Sequence, residues 1–107
     1  MHLPAAIQAF FDADQMPENA PPIGAFAPDA SVKDEGETHI GHDAITAWWV
    51  SARARFHHTA EPIHAFQEAG VSTVRARVTG AFPASPVELT FAFELKNGKI
   101  SSLEIGA

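Results

Sequence analysis

Residues 32–49 read VKDEGETHIGHDAITAWW, and they join two short predicted strands to the start of a predicted helix. Gly36 predicts a turn between the strands, and Gly41 predicts a break after the second one. His42 or Asp43 then offers a side-chain acceptor that can cap the helix. The stretch therefore predicts a strand–turn–strand unit that leads directly into a helix.

The apolar residues of this helix recur at steps of three and four positions, which is the spacing of one helical face. They are Ile45, Trp48, Trp49, Ala52 and Phe56. The strand–turn–strand unit, which contains acidic residues and a histidine, is thus joined to a helix with a large aromatic face. This combination predicts a pocket that is mostly apolar, with a few polar groups at one end.

Length, composition and charge limit the classes of protein to which this chain can belong. The 107 residues, 46% of them hydrophobic, indicate one folded domain over residues 1–107. The net charge is −6 and the seven Lys and Arg residues form no cluster, which argues against nucleic acid as a partner. Cysteine is absent, which excludes disulfides and thiolate chemistry. The N-terminal segment lacks the features of a signal peptide, and no run approaches the roughly 20 apolar residues of a membrane span. We therefore expect a soluble cytoplasmic protein with no membrane partner.

The second half of the chain predicts antiparallel strands. Residues 71–79 and 87–95 alternate between apolar and polar side chains, and residues 100–105 form the last strand. Asn97-Gly98 predicts a type I′ hairpin between the last two strands. Helices followed by a run of antiparallel strands predict an α+β fold.

The register of this hairpin predicts which side chains share a face. A two-residue loop places Glu104 opposite Phe91, on the same face as Phe93. Glu104 would then point into an apolar cavity, while Leu103 and Ile105 would lie on the outer face for a partner to cover. A bulge anywhere in the last strand would reverse this assignment.

Five short motifs extend over nearly the whole chain. They are Phe26-Ala27-Pro28-Asp29-Ala30, Val32-x-Asp34-Glu35-Gly36, His39-x-Gly41-x-x-Ala44-Ile45-x-x-Trp48, Thr79-Gly80-x-Phe82-Pro83-x-Ser85-Pro86 and Asn97-Gly98-Lys99-Ile100-x-x-Leu103. This pattern resembles the nuclear transport factor 2-like superfamily, closest to its polyketide-cyclase-like (SnoaL-like) branch. The resemblance implies a cone in which a curved antiparallel sheet wraps a long helix, the cystatin-like α+β barrel, around a deep pocket. It implies little about function, because this fold hosts isomerases, dehydratases, cyclases, epoxide hydrolases and proteins without catalytic activity.

Asp34 is the first catalytic candidate, because the resemblance places it where ketosteroid isomerases carry their general base. A carboxylate at the mouth of an apolar pocket has its charged form disfavoured, which moves its pKa towards useful acid–base range. The oxyanion hole of those isomerases needs a tyrosine, and this chain has none, with Phe10 and Phe11 in the first helix instead. Steroid isomerisation by that mechanism is therefore not expected. In the alternative interpretation Asp34 only accepts backbone N–H bonds around Gly36.

Histidines supply the next candidates. His39 would pair with Asp34 for proton movement, as resemblance to scytalone dehydratase implies, or would be an exposed turn residue. Alternation puts His58 and His64 on one face of the strand after the helix, and the sequence leaves open whether that face is the inner one. No helix carries a closely spaced histidine pair, so we predict neither a metal site nor a cofactor.

Aromatic side chains are expected to form the wall of the pocket. At least one of Trp48 and Trp49 should pack in the core, while the other would offer an indole N–H to a ligand. The remaining wall residues are predicted to be Phe56, Phe82, Phe91 and Phe93. Phe82 lies in a proline-bounded loop and would stand at the rim.

Two functions fit this sequence. The first is a proton-transfer enzyme of the isomerase, cyclase or dehydratase type, in which Asp34 acts on a small apolar carbonyl compound. The second is a module that binds a ligand without turning it over, or a dimeric interaction module. The resemblance implies a homodimer formed through the outer sheet face. Two titratable groups converging in the cavity, Asp34 with His39 or with Glu104, would favour the enzyme.

Overall fold

A computed structural model describes residues 2–16 and 20–107, which form two α-helices and a six-stranded sheet. In chain order the elements are α1 (Ala5–Asp14), β1 (Phe26–Asp34), β2 (Glu37–Ile40), α2 (His42–Phe56), β3 (Thr59–Glu68), β4 (Val71–Thr79), β5 (Val87–Lys96) and β6 (Lys99–Gly106). A single 3₁₀ turn over Ile23–Ala25 precedes β1. The predicted α+β class is confirmed.

The sheet is curved and open, with the strand order β2-β1-β6-β5-β4-β3. Every neighbouring pair is antiparallel except β1 and β6, which run parallel and join the first strand to the last. Both helices pack on the inner face, where α1 reaches β3 and α2 reaches β1 and β2. This arrangement leaves space between α2 and the sheet.

Aromatic packing under α1 forms the core. The ring of Phe11 lies 5.3 Å from that of Phe91 and 5.8 Å from that of Phe93. Phe10 packs edge-on against Trp49 of α2 at 5.6 Å, so both helices share one buried cluster. Edge-to-face rings at these separations are a favourable geometry, in addition to the apolar area that they bury. The cluster fixes α1 over the centre of the sheet.

Helix α2 begins at His42 without a side-chain cap, so the predicted capping by His42 or Asp43 is wrong. Gly41 precedes it with a φ of 89°, a conformation that glycine adopts without steric cost. The imidazole of His42 instead turns back to the carbonyl oxygen of Phe26, at 3.0 Å. That contact ties the start of α2 to the start of β1.

The register predicted for the β5–β6 hairpin is wrong beyond its turn. Glu94 pairs with Ser102 while Leu95 pairs with Ile100, so Ser101 is an extra residue in β6. One extra residue turns every later side chain to the opposite face. Glu104 is consequently exposed on the outer face, whereas Leu103 is buried and Ile105 points inward.

A second irregularity separates the histidines of the β3 region. Pro62 pairs with Ala76 and His64 with Arg75, which leaves Ile63 as the extra residue. His58 lies just before β3, and His64 lies on the outer face of the sheet, so the prediction that they share a face is wrong. Pro62 has no N–H to donate, and an edge strand is where such a residue is tolerated.

Candidate functional site

A cavity of about 500 Å³ lies between α2 and the inner face of the sheet. Its wall is mostly apolar, and the aromatic rings in it belong to Phe10, Trp48, Trp49, Phe56, Phe82 and Phe91. Five side chains that can carry charge also line it: Asp14, Asp34, Glu35, Arg53 and His58. An apolar cavity of this size with few polar groups is typical of small-molecule sites.

Asp34 is the last residue of β1, and its carboxylate meets α2 inside the cavity. The indole Nε1 of Trp48 donates a hydrogen bond to Asp34 Oδ2 at 3.0 Å. Burial raises the pKa of Asp34 above its ordinary value of 3.8, and the bond from Trp48 offsets part of that effect. The neighbouring Glu35 charge raises it further. A partly desolvated carboxylate held in one orientation is a suitable proton acceptor.

An ion pair lies at the mouth of the cavity. Arg55 Nη2 is 2.9 Å from Glu35 Oε2, and both side chains are more than half exposed. Arg55 also lies over the ring of Phe56, with its Cζ atom 4.9 Å from the ring centroid. Because exposed ion pairs contribute little to stability, this pair shapes the rim rather than holding the fold together.

Asp14 ends α1, and its buried carboxylate forms part of the cavity wall, where it joins three segments of the chain. Its Oδ1 accepts a hydrogen bond from Arg53 Nη1 at 3.1 Å, and its Oδ2 accepts one from the Ala60 amide at 2.6 Å. Arg53 Nη2 also donates to the Asp14 carbonyl oxygen at 2.9 Å. Burial raises the pKa of Asp14, while His58, the Ala60 amide and Arg53 act in the opposite direction. Removing one member of such a buried pair typically costs about 3–5 kcal/mol.

His58 lies against this pair. Its Nε2 is 3.5 Å from Asp14 Oδ1, whereas its Nδ1 is buried with no hydrogen-bond partner among the described residues. Burial lowers the pKa of His58, an effect that the Asp14 carboxylate partly offsets. His58 is therefore predominantly neutral at pH 7.

Gly80 permits this position of His58. A Cβ atom at residue 80 would lie 2.7 Å from the Phe56 carbonyl oxygen and 2.9 Å from the His58 Cβ. The Ala81 amide donates to the same Phe56 carbonyl at 2.7 Å. The loop after β4 thus packs directly against His58. This contact requires a residue without a side chain at position 80.

Seven of the predicted site residues line the cavity: Asp34, Trp48, Trp49, Phe56, His58, Phe82 and Phe91. Four do not. His39 stands outside the wall, with its ring 6.2 Å from that of Trp48, and His64 lies beside Phe66 on the outer face. Phe93 is fully buried beneath α1, and Glu104 is exposed. Neither His39 nor Glu104 lines the cavity with Asp34, although His39 is near enough for its charge to lower the pKa of Asp34.

Asp14 and Arg53 are cavity residues that the sequence reasoning missed. Two signals could have identified them. An acidic residue in the last turn of a helix opposes the helix dipole, which suggests that Asp14 has a specific partner. Arg53 lies next to the apolar face of α2, and its guanidinium stacks 5.0 Å from the Trp49 ring centroid. Because the partners are 39 residues apart, the sequence gives no direct indication of their pairing.

The described residues contain no group of three His, Asp or Glu side chains placed to hold a metal ion. Within the same ranges, neither helix has the length and apolar character needed to cross a bilayer.

Comparisons with known proteins agree with this architecture. The chain is 44% identical to a candidate polyketide cyclase from Sinorhizobium meliloti, with a TM-score of 0.91 over 96% of this chain and 94% of that one. A protein from Catenulispora acidiphila with a ketosteroid isomerase-like fold, solved with trimethylamine, has 18% identity and a TM-score of 0.84, covering 99% and 87% of the two chains. TerC, co-crystallised with polyporic acid, has 13% identity and a TM-score of 0.80 over 94% and 86%.

The last two likenesses concern the fold alone. Among curated proteins, none matches this chain. A family model described as the SnoaL-like domain matches residues 7–103, which is most of the chain. The protein belongs to the SnoaL-like domain family.

Proposed function

We propose that this protein is a proton-transfer enzyme of the isomerase, cyclase or dehydratase type, with Asp34 as its base and a small, mostly apolar carbonyl compound as its substrate. One observation carries the proposal. The Asp34 carboxylate, oriented by the Trp48 indole, lines an aromatic cavity of about 500 Å³.

The chemistry follows from that placement. A C–H bond beside a carbonyl group breaks, its proton moves to Asp34, and its electron pair becomes an enolate. The proton then returns to another carbon, or a β-hydroxyl group leaves as water once it is protonated. Because burial raises the pKa of Asp34, the carboxylate is a stronger base than it would be in water. The apolar wall suits a substrate whose polarity is confined to one end.

The relatives support a small-molecule role. The Sinorhizobium meliloti protein, at 44% identity, is described as a candidate polyketide cyclase. Cyclisation of such compounds also starts from a carbon acid next to a carbonyl. In our proposal Asp34 would accept the proton in that step.

The proposal is tested with a panel of aromatic and aliphatic ketones in deuterated water, in which NMR follows exchange at the carbon beside the carbonyl. Wild type is expected to speed exchange of at least one ketone. The exchange rate with Asp34→Asn is expected to be roughly 10²–10⁴-fold lower, although this variant still binds the ketone. His64→Gln, on the outer face, is the matched control and should exchange like wild type.

The other outcomes separate the remaining functions. Ketones that bind wild type and Asp34→Asn equally, without exchange in either, would identify a ligand-binding module. If none of the panel raises the melting temperature of wild type, the dimeric interaction module is favoured.

We further propose that two copies associate through the outer sheet face to form a homodimer. Phe66 is 49% exposed on β3 at that face, and the neighbouring Ile63 is also exposed. The predicted contribution of Leu103 and Ile105 to this contact is withdrawn, because both residues point inward.

A further inference from the structure

An enolate needs a hydrogen-bond donor for its oxygen as well as a base for its proton. The Trp48 indole N–H is already engaged by Asp34, and the Arg53 guanidinium is engaged by Asp14 and by backbone carbonyls. Tyrosine is absent from the chain. His58 is a further cavity residue with a ring N–H that can serve as this donor.

The surroundings of His58 define which of its nitrogens carries the proton. Nδ1 is buried and has no hydrogen-bond partner in the described part of the chain, whereas Nε2 faces the Asp14 carboxylate. A proton on Nε2 gains the attraction of that carboxylate, while a proton on Nδ1 would have no acceptor. The favoured neutral form therefore has its N–H at Nε2.

Asp14 is an acceptor in this arrangement. Both of its carboxylate oxygens already accept hydrogen bonds, from Arg53 and from the Ala60 amide, and these contacts favour the ionised form. The Nε2–Oδ1 separation of 3.5 Å is longer than a full hydrogen bond, so the Nε2–H group is not fully engaged by Asp14 and remains available to a ligand oxygen. Arg53 neutralises Asp14, which lessens its repulsion of a developing negative charge nearby.

We propose that His58 donates its Nε2–H to the carbonyl oxygen of the substrate and stabilises the enolate there, with Asp14 as the positioning residue that fixes the proton on Nε2. This assignment rests on the proposed function of Asp34. No proton is transferred by His58 in this step. Its contribution is a neutral hydrogen bond that strengthens as negative charge builds on the oxygen.

The first test needs no ligand. Nitrogen-15 NMR of the wild-type protein at neutral pH distinguishes the two neutral forms of an imidazole ring from each other and from the cation. We expect His58 to be neutral and protonated at Nε2. A proton on Nδ1, or a charged ring, would overturn the assignment.

The second test uses para-nitrophenol as an enolate mimic, because its ionised form has a distinct absorbance. Asp34→Asn stands in for the protonated base, and the ionised fraction of the bound phenol is measured with and without a further change of His58→Leu. Loss of one hydrogen bond to the phenolate is expected to weaken its binding roughly tenfold to a hundredfold. His58→Gln keeps an N–H group and should restore part of the effect, while His64→Leu is the matched control.

These outcomes separate the two proposals. A phenolate bound equally well with and without His58 would overturn the role of His58 and leave Asp34 as the base. Failure of Asp34→Asn to bind para-nitrophenol at all would overturn the proposed pocket function and the assignment of His58 with it. If His58→Leu does not fold, as judged by tryptophan fluorescence, the NMR measurement on wild type decides.

Discussion

Placing the Asp34 carboxylate beside an aromatic wall costs folding free energy, because its charged form loses hydration. The folded-state pKa of Asp34 lies above its unfolded value of 3.8. Stability linked to this group is thus fully present below pH 3.8 and is lost as the pH rises through the folded pKa. Catalytic groups are often held at such a disadvantage.

Replacing Asp34 by Asn should therefore stabilise the protein at neutral pH. The amide can still accept the Trp48 N–H bond, and it removes the desolvated charge. We expect the melting temperature to rise by a few °C, on the order of 1 kcal/mol, and the difference to vanish in acid. Urea unfolding of both proteins across pH measures it, and equal stability at neutral pH would contradict the prediction.

Gly80 is the second residue whose identity the site requires. A methyl group there would meet the Phe56 carbonyl oxygen and the His58 Cβ at less than 3 Å, so Gly80→Ala must displace one of them. We expect a loss of about 1–3 kcal/mol in urea unfolding and weaker ligand binding. Gly24→Ala is the control, because nothing lies within 4 Å of a Cβ at that position. A Gly80→Ala variant that is as stable as wild type would show that the loop after β4 can move away from His58.

Three hairpin turns of the sheet share one geometry. Both central residues have positive φ in Glu35-Gly36 (52° and 80°), Ala69-Gly70 (53° and 79°) and Asn97-Gly98 (53° and 77°). This is the type I′ pattern, in which asparagine is favoured and alanine is strained at the first position. The Asn97-Gly98 turn thus has the favoured asparagine at its first position, and the Ala69-Gly70 turn has a strained alanine there.

The effect of exchanging these two residues on stability can be measured directly. Ala69→Asn should stabilise the protein by about 0.5–1 kcal/mol, and Asn97→Ala should destabilise it by a similar amount. Both positions are exposed turn residues, so packing contributes little to either change. Chemical unfolding gives both values, and equal signs for the two substitutions would contradict the argument.

The elements themselves were predictable because each has a local cause. The Asn97-Gly98 turn, the alternation of residues 71–79 and the apolar spacing of α2 each specify one structure from adjacent residues. The extra residues Ile63 and Ser101 have no comparable local signature, since a bulge is stabilised by the packing of the finished sheet. That is why Asp34 could be placed in the cavity, while the faces occupied by His58, His64 and Glu104 could not be derived from the sequence. The Asp14–Arg53 pair was missed because it depends on tertiary contact alone.

At the scale of the whole molecule, the outer sheet face is the surface that we expect to join two copies. Phe66→Glu should convert the dimer to a monomer at micromolar concentration, because a charge buried in an apolar contact is unfavourable. Sedimentation velocity measures the change. Ile40→Glu is the control, since Ile40 is 67% exposed on the opposite edge strand. A wild-type protein that sediments as a monomer would overturn the proposed interface.

The parallel pairing of β1 with β6 also has a consequence for how the chain folds during its synthesis on the ribosome. Val32 pairs with Leu103, so the strand that ends at Asp34 is flanked by one that is synthesised about 70 residues later. Ile105 of that later strand lines the same cavity as Asp34. The Asp34 carboxylate of a nascent chain has no enclosed site to occupy until β6 emerges. Truncation within β6 should therefore abolish the cavity before it abolishes the helices.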